Sequence, residues 1–476
     1  MLWIALILPA LPLQVFTRSV ADPGSLAVVE YRPRQRVVAV SAGARARGVE
    51  PGTGLAGARA IAPDLELKER DPALEQRTLA EFATWAGCFT PAVSIDAPDG
   101  IVIEVSRSLR LFGGLPKLAA KLEKDAASLG FDVRLAAAPT PLGARWLAEA
   151  KPGTLTRPSS GWDRCLDSLP LHVLAADPAV SRATIDLLHG IGARSIGDVA
   201  RLPRDGLARR QGTSVTHALA RAHGEVPDPR PWHHPPERFD ARLVLPAAAD
   251  KIEPLLFASR RLVTSLVAWL TGLHAAVDRC CLCLEHEDRP ATVVHIITGQ
   301  PGRAEDRFLM LMREHLAVLQ LDAPVEALRL SADTPVIRSA CTPDLFGDPG
   351  QARDAATLLL DRLRARLGKA AVRSLRPWPD HRPEHAWRES EPGAHNLVQS
   401  RKGLPRPAWL LPEPRHLPSI DGLVMLAGPE RIESGWWDGE DVRRDYFVAR
   451  TRNAALWWIF RRLDRPGGWY VHGYFG

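Results

Sequence analysis

The chain has 476 residues, of which 46% are hydrophobic and 24% are charged. These proportions are typical of a globular protein, and they exclude a disordered chain, a collagen-like chain and a coiled-coil rod. The formal net charge of +6 permits nucleic-acid binding without requiring it.

The chain begins with an apolar segment, MLWIALILPALPLQVF, at residues 1–16. This segment lacks the basic start and the small-residue cleavage site of a signal peptide, and it is too short to span a bilayer as a helix. We predict instead a buried strand at Leu2–Leu8 that ends at Pro9. The sequence therefore predicts a cytoplasmic protein without a membrane partner.

The region 1–164 alternates strand-like and helix-like stretches, which is typical of a mixed α/β architecture. A helical region with glycine turns follows at residues 165–225, and a proline-rich stretch at residues 226–239 is predicted to be a linker. The hydrophobic patterns of the first region predict strands at Val37–Val40 and Ile101–Val105 and helices at Leu115–Leu129 and Pro141–Ala150.

The region 240–338 contains two predicted strand–helix units. A loop follows at residues 339–352, and residues 353–476 form a C-terminal extension that ends in a predicted small β module. We therefore predict an α+β multidomain fold. The predicted elements of the two units are strands at Arg242–Leu245, Cys280–Glu285, Val293–Thr298 and Val325–Leu330 and helices at Ile252–Leu273 and Glu305–Leu319.

The six cysteines lack the spacing of a disulfide framework, which indicates a reducing compartment. Cys280, Cys281 and Cys283 lie close to His286, but the second ligand pair that a structural zinc site needs is missing. We predict neither a metal site nor a cofactor there. His233 and its neighbour are predicted to be surface or linker residues.

Five segments, in this order along the chain, resemble the motifs of Y-family (translesion) DNA polymerases. The most specific is FTPAVSIDAPDGIVIE at Phe89–Glu104, which resembles the palm motif of that family without gaps. This resemblance implies palm and fingers at residues 1–164, a helical thumb at 165–225 and an α/β little-finger domain at 240–338. The other four segments are VSAGARARGVEPGTGLAGARAIAPDL at 40–65, SLRLFGG at 108–114, residues 138–148, and GARSIGDVARL at 192–202.

The chain departs from this family at the metal-binding positions. Polymerases of this family use an aspartate on the first strand and an Asp-Glu pair in the palm motif to hold two metal ions. The matching positions here are Ile7, Asp99 and Gly100. Divalent cations of this kind need oxygen ligands, and one carboxylate is too few to hold two of them. The resemblance therefore implies a protein without catalytic residues.

The positions that contact the nucleotide are partly retained. Arg45 and Arg145 match basic positions of the family, so the resemblance implies a residual basic nucleotide site. Ala42, Leu11 and Pro12 stand where the family has aromatic residues.

An active translesion polymerase with a rearranged metal site remains an alternative. Its ligands would be Asp96, Asp99 and Glu104. The period of a strand argues against this site, because residues five apart project to opposite faces. An unrelated DNA-binding scaffold is disfavoured by the five ordered motifs.

The region around Gly190, Gly192 and Arg194 resembles a thumb turn of the family. The turn is either a hairpin between helices whose N–H groups bind a DNA phosphate or an ordinary helix C-cap. Residues 239–340 carry slightly more acids than bases, so we expect weak, salt-sensitive binding to damaged or primed DNA.

The predicted loop contains a segment that resembles a sliding-clamp-binding peptide. Asp344, Leu345 and Phe346 match its core, whereas Thr342 stands in place of the usual glutamine. An exposed Leu-Phe pair is a plausible anchor for an apolar pocket. The alternative is a buried pair that packs the loop onto the body of the protein.

The catalytic groups are lost while the hydrophobic frame is retained, which resembles a non-catalytic branch of the family that acts in bacterial SOS mutagenesis. The resemblance implies a scaffold that links the sliding clamp, an error-prone C-family DNA polymerase and a RecA-like accessory protein at damaged DNA. It also implies a nucleoid-associated, cytoplasmic location, with residues 353–476 as the partner platform. The tryptophans of this extension either pack its β module, which we favour, or stack on bases.

Overall fold

A computed structural model describes residues 1–20, 22–32, 35–157, 161–203, 207, 213–337, 349–392, 405–464 and 468–476. The chain divides into two compact units, Met1–Arg362 and Leu363–Gly476. Both contain β-sheets, and the first also carries most of the helices, so the predicted α+β multidomain fold is confirmed.

The helices follow the predicted pattern closely. Pro141–Ala150 is observed with the predicted bounds, and the helix predicted at Leu115–Leu129 ends one residue earlier. The helices are α1 (Leu11–Thr17), α2 (Ala42–Ala46), α3 (Leu55–Ile61), α4 (Pro72–Ala86), α5 (Leu115–Ser128), α6 (Pro141–Ala150), α7 (Trp162–Asp167), α8 (Arg182–Gly190), α9 (Ile196–Ala200), α10 (Ser214–His223), α11 (Ile252–Gly272), α12 (Glu305–Ala317) and α13 (Pro349–Leu367).

The strands of the first unit belong to three sheets. Their orders are β5-β6-β1-β7, β3-β2-β4 and β10-β9-β11-β8, with β12 paired to β9. The strands are β1 (Trp3–Ile7), β2 (Leu26–Glu30), β3 (Arg36–Val40), β4 (Glu66–Glu69), β5 (Val93–Asp96), β6 (Gly100–Glu104), β7 (Arg134–Ala138), β8 (Phe239–Ala249), β9 (Ala275–Glu285), β10 (Thr292–Gly302), β11 (Val325–Ala332) and β12 (Val336–Ile337).

The apolar N-terminal segment forms the buried strand that we predicted. Every residue of β1 is buried, because helices cover both faces of its sheet. Ile4 and Leu6 face a core built largely by α4 and α5, whereas Ala5 and Ile7 face α6 and the helices that follow it. A strand buried on both faces explains why its sequence shows an apolar run rather than alternation.

The sheet of the predicted little-finger region packs against α11 and α12. Its strands β8 and β9 are longer than predicted, and α11 also contacts α4 of the palm region. The Ser19 hydroxyl donates to the Val244 carbonyl at 2.8 Å, which joins the chain after α1 to β8. This region therefore rests on the palm in the first unit.

The second unit confirms the predicted β module. Its core contains Tyr446, Trp458 and Phe460, so packing accounts for part of the tryptophan content, but Trp409 lies exposed. The strand orders are β13-β14 and β15-β19-β18-β17-β16. The strands are β13 (Ser374–Pro377), β14 (Trp387–Ser390), β15 (Trp409–Leu417), β16 (Val424–Ser434), β17 (Val442–Arg450), β18 (Leu456–Arg462) and β19 (Trp469–Tyr474).

Within the described ranges, none of the helices combines the length and the apolar character that crossing a membrane requires.

Candidate functional site

The three positions whose sequence matches the metal-binding positions of Y-family polymerases lie together at one end of the β5-β6-β1-β7 sheet. Ile7 of β1 lies directly opposite Gly100 of β6, and the Leu8 N–H donates to the Asp99 carbonyl at 2.7 Å. The side chain of Ile7 is 1% exposed and packs in the apolar core, so it offers no oxygen ligand. The carboxylate of Asp99 is the acidic group retained among these three positions.

A buried arginine occupies the space beside this carboxylate. Arg145 lies in the middle of α6, which begins after Thr140, whose hydroxyl accepts from the Gly143 N–H at 3.1 Å. Its Nη2 donates to Asp99 Oδ1 at 2.7 Å, and its Nε lies 3.6 Å from Asp96 Oδ2. The side chain of Arg145 is 7% exposed, so a fixed positive charge lies next to both aspartates.

The glycine at position 100 is required by this arrangement. A Cβ atom at Gly100 would lie 2.6 Å from Arg145 Nη1 and 3.0 Å from the Leu6 carbonyl oxygen. A side chain at this position would therefore have to displace the guanidinium. The glycine after Asp99 thus makes room for the guanidinium of Arg145.

A second arginine reaches the same site from the segment predicted to be a linker. Arg230 Nη1 donates to Asp96 Oδ1 at 2.7 Å, while its Nη2 donates to Asp228 Oδ2 at 2.9 Å. Burial lowers the pKa of Arg230, but the attraction to Asp96 and the contacts with Asp228 outweigh burial and leave the pKa raised. Arg230 therefore stays charged and helps to neutralise Asp96.

The segment 226–239 is attached to the palm at two further points. The ring of Trp232 stacks on that of Trp3, with centroids 5.8 Å apart and planes 4° from parallel. The His233 N–H donates to the Val93 carbonyl at 2.7 Å, and its Nε2 lies 2.8 Å from the Thr84 hydroxyl. His233 is therefore half-buried, and its ring lies against α4.

Sequence reasoning did not identify Arg230 and Trp232 as residues of this site. A tryptophan between prolines, in the segment PRPWHHPP, is the signal that could have indicated docking. A flexible linker seldom needs so large an aromatic side chain, whereas a docked segment uses it as an anchor.

The alternative metal site is not assembled. Glu104 lies at the opposite end of β6 from Asp99, opposite Trp3, and its Oε1 accepts from the Leu2 N–H at 3.2 Å and the Ser106 N–H at 3.1 Å. Asp96 and Asp99 are held by arginines. Among the residues that the structure describes, no group of three His, Cys, Asp or Glu side chains could hold a metal ion.

The cysteine cluster lies on β9, as predicted. Cys281 Sγ is 3.9 Å from Cys283 Sγ, and burial is the main cause that raises the pKa of Cys280 to about 12 and that of Cys281 to about 11. Thiols with such pKa values are protonated at neutral pH.

The two basic residues of the expected nucleotide site have different surroundings. Arg145 is engaged with Asp99, whereas Arg45 lies exposed on α2, beside the β3-β2-β4 sheet. The Ser41 hydroxyl caps α2 by accepting from the Ala44 N–H at 3.2 Å. Arg45 is thus available to a ligand, but Arg145 is already paired within the protein.

The thumb turn has the geometry of a helix C-cap. α8 ends at Gly190, Gly192 has φ +91°, and the Ala193 N–H donates to the Leu188 carbonyl at 3.1 Å. The N–H groups of Arg194 and Ser195 donate to Asp198 Oδ2 at 3.0 and 2.9 Å, and these bonds lower the pKa of Asp198 to about 2. An internal carboxylate therefore binds donors that a phosphate would use, and the exposed side chain of Arg194 is left as the candidate DNA contact.

The clamp-binding prediction, Asp344, Leu345 and Phe346, falls outside the described residues. It stays a prediction.

Residues 21–149 match the impB/mucB/samB family. Protein ImuB of Caulobacter vibrioides, strain NA1000 / CB15N, is 26% identical over 463 residues, which cover 90% of this chain and 100% of that protein. The same protein from strain ATCC 19089 / CIP 103742 / CB 15 matches equally.

Solved structures of Y-family polymerases are also similar. A chimera of Dbh and Dpo4 has a TM-score of 0.40 and 17% identity and covers 71% of this chain and all of its own. DinB from Sulfolobus solfataricus has a TM-score of 0.38 at the same identity and coverage. Residues 21–149 thus match the impB/mucB/samB family model, and the chain is similar to Protein ImuB along nearly its whole length.

Proposed function

We propose that the chain is a non-catalytic, polymerase-like scaffold in SOS-induced translesion synthesis and mutagenesis. One observation carries this proposal: the Arg145 guanidinium, bonded to Asp99, lies beside Gly100 and Ile7. Phosphoryl transfer by a polymerase needs two metal ions that clamp the attacking and leaving oxygens. Here a fixed cation neutralises the retained carboxylate, and no other carboxylate is supplied by the matching positions.

Primer extension by the purified chain tests the lack of catalysis. Damaged and undamaged templates are offered with magnesium or manganese, and no nucleotide incorporation is expected. Asp99→Ala is the control variant, because a contaminating polymerase would act equally with both proteins. Incorporation by the wild type that Asp99→Ala abolishes would establish an active translesion polymerase with a rearranged metal site.

The partners that we propose are a sliding clamp, an error-prone C-family DNA polymerase and a RecA-like accessory protein. Support comes from the similarity to Protein ImuB over 90% of the chain and from the clamp-like segment at Asp344–Phe346. The second compact unit, Leu363–Gly476, is the proposed platform for the polymerase and the accessory protein. Nucleoid association would follow from these partners.

Clamp binding is tested with the full chain carrying Leu345→Ala and Phe346→Ala. The expected result is loss of clamp binding without loss of the other two partners, because the apolar pair supplies the anchor. A matched substitution of exposed apolar residues, Leu358→Ala with Leu359→Ala, should leave clamp binding unchanged. Equal clamp affinity of wild type and the first variant would contradict the assignment.

DNA binding is proposed to be weak and to use exposed cations such as Arg194 and Arg45. The backbone donors of the thumb turn are engaged with Asp198, so side chains would have to supply the phosphate contacts. Contacts of this kind depend on counterion release, and binding should therefore fall steeply with salt.

A further inference from the structure

Two tryptophans project from the second unit at the turn between β16 and β17. The side chain of Trp436 is 79% exposed and that of Trp437 is 56% exposed. Their rings form an edge-to-face pair with centroids 5.5 Å apart and an interplanar angle of 82°. Exposed aromatic side chains of this size are typical anchors of protein interfaces.

The turn that carries this pair is held in one conformation. Gly435 has φ +92°, and a Cβ atom at this position would collide with the Glu440 carbonyl oxygen. The Asp438 carboxylate accepts from the Glu440 N–H at 3.1 Å. The two rings are therefore presented on a rigid support, which lowers the entropic cost of binding.

The buried side chain of Arg382 holds this turn through hydrogen bonds. Arg382 is 3% exposed, and it donates from Nη1 to Asp438 Oδ1 at 3.0 Å and to the Glu440 carbonyl at 3.2 Å. Its Nη2 donates to Asp380 Oδ2 at 2.8 Å. The guanidinium carbon lies 5.6 Å from the centre of the Trp437 ring, so the chain itself places a guanidinium against this tryptophan.

The surroundings of the pair are acidic. Every ionisable residue between positions 433 and 441 is an acid. Asp438 is matched by Arg382, and Asp441 lies 3.4 Å from Arg443. Glu440 is exposed and its Oε2 lies 3.3 Å from His385 Nε2, whereas Glu433 is exposed and forms no ion pair in the part of the chain that the structure describes.

This combination favours a basic protein segment over nucleic acid. The carboxylates of the same segment, residues 433–441, would repel the phosphates of a strand whose bases stacked on the rings, and phosphate contacts dominate nucleic-acid affinity. Arginine side chains are attracted both by acidic groups and by the faces of tryptophan rings. We propose that the Trp436–Trp437 turn is the docking point for an arginine-bearing segment of a protein partner, a proposal that rests on the role of the second unit as partner platform.

The test uses the full chain and three fluorescein-labelled probes of equal length. They are a peptide of alternating arginine and leucine, a peptide of alternating glutamate and leucine, and a single-stranded oligonucleotide. The arginine peptide should bind the wild type, and Trp436→Ala with Trp437→Ala should weaken its binding by about tenfold, because cation–π contacts are lost. Trp436→Phe with Trp437→Phe should recover part of the loss.

Trp409→Ala is the matched control, because Trp409 is 68% exposed but lies outside the acidic turn. This variant should bind the arginine peptide as the wild type does. Equal peptide affinity of the wild type and the double alanine variant would overturn the proposal. A loss of oligonucleotide binding in the double alanine variant would also overturn it and would assign the pair to base stacking.

The peptide measurement is independent of the three proposed partners. If these partners bind the wild type while the double alanine variant keeps its affinity for the peptide, the docking point is wrong and the scaffold function stands. If none of the partners binds the wild type, the scaffold function is wrong. The two failures are therefore distinguishable.

Discussion

Arg145 donates from Nη2 to Asp99 Oδ1 at 2.7 Å, beside the point where Ile7 of β1 pairs with Gly100 of β6. The pair joins α6 to the turn between β5 and β6. Arg145 is buried, whereas Asp99 is 31% exposed and remains partly hydrated. The charge of the arginine therefore needs its partner for compensation more than the charge of the aspartate does. The contact therefore stabilises the fold at this end of the β5-β6-β1-β7 sheet.

A double-mutant cycle measures this interaction. Arg145→Met removes the charge, keeps much of the volume, and should lower the free energy of unfolding by about 2–4 kcal/mol. Asp99→Asn and the double variant complete the cycle, with an expected coupling of about 1–2 kcal/mol in urea denaturation. The exposed pair Arg329–Asp240 is the control, with a coupling below about 1 kcal/mol. A coupling free energy near zero for Arg145 and Asp99 would show that their interaction does not stabilise the folded protein.

Gly100 should not tolerate a Cβ atom. Gly100→Ala places a methyl group against Arg145 Nη1 and the Leu6 carbonyl, so we expect a loss of about 1–3 kcal/mol in the free energy of unfolding. Gly190→Ala is the matched control, because a Cβ atom there meets nothing within 4 Å. If thermal unfolding shows the same stability for both variants, the arginine does not fill the space beside Gly100.

The stacked ring of Trp232 should protect the segment 226–239 from proteases. Trp232→Ala removes the stacking on Trp3, which is worth about 0.5–1.5 kcal/mol beyond burial, and cleavage of this segment should accelerate several-fold. Trp232→Phe should restore most of the protection, and Trp409→Ala should leave the cleavage rate as in the wild type. Unchanged cleavage of Trp232→Ala would mean that this segment is held by other contacts.

The stability of the second unit should depend on His472. Burial lowers the pKa of His472 to about 4, and its Nδ1 lies 2.7 Å from the Tyr446 hydroxyl. The unfolded histidine, with a pKa near 6.5, binds a proton more readily than the folded one. The neutral ring therefore contributes stability that is fully present above about pH 6.5 and is lost as the pH falls towards 4.

His472→Asn keeps a polar partner for Tyr446 but removes this titration. In urea denaturation followed by tryptophan fluorescence, the wild type should lose up to about 3 kcal/mol more than the variant between pH 7 and pH 4. The carboxylates titrate in both proteins, so their contribution to the pH dependence of unfolding cancels when the two profiles are compared. Parallel pH profiles would contradict a buried neutral histidine.

The salt dependence of DNA binding should report the contact at Arg194. Arg194→Ala should reduce the slope of log affinity against log salt concentration by about one, because one phosphate contact is lost. Arg431→Ala removes an exposed arginine that is paired with Asp445 in the second unit and should leave the slope unchanged. An unaltered slope for Arg194→Ala would remove this turn from the DNA-binding surface.

Local patterns in the sequence predicted most of the secondary structure. The apolar run of β1 and the helical spacing of apolar residues in α5 indicated their elements, since burial and local geometry constrain neighbouring residues directly. The predicted bounds of β8 and β9 were too short, because the residues at the ends of these strands are held by pairing with other strands rather than by a pattern of their own. The partner is β11 for β8, and β10 and β12 for the start of β9.

The sequence by itself determined that residues 7 and 100 are isoleucine and glycine and carry no carboxylate, since a residue's identity needs no fold to be read. Only the tertiary structure decided which side chains lie beside them. Arg145 reaches Asp99 across 46 residues, and Arg230 reaches Asp96 across 134. Contacts between residues so far apart form when the α6 helix packs on the sheet and the segment 226–239 docks beside it. Local periodicity in the sequence does not predict such contacts.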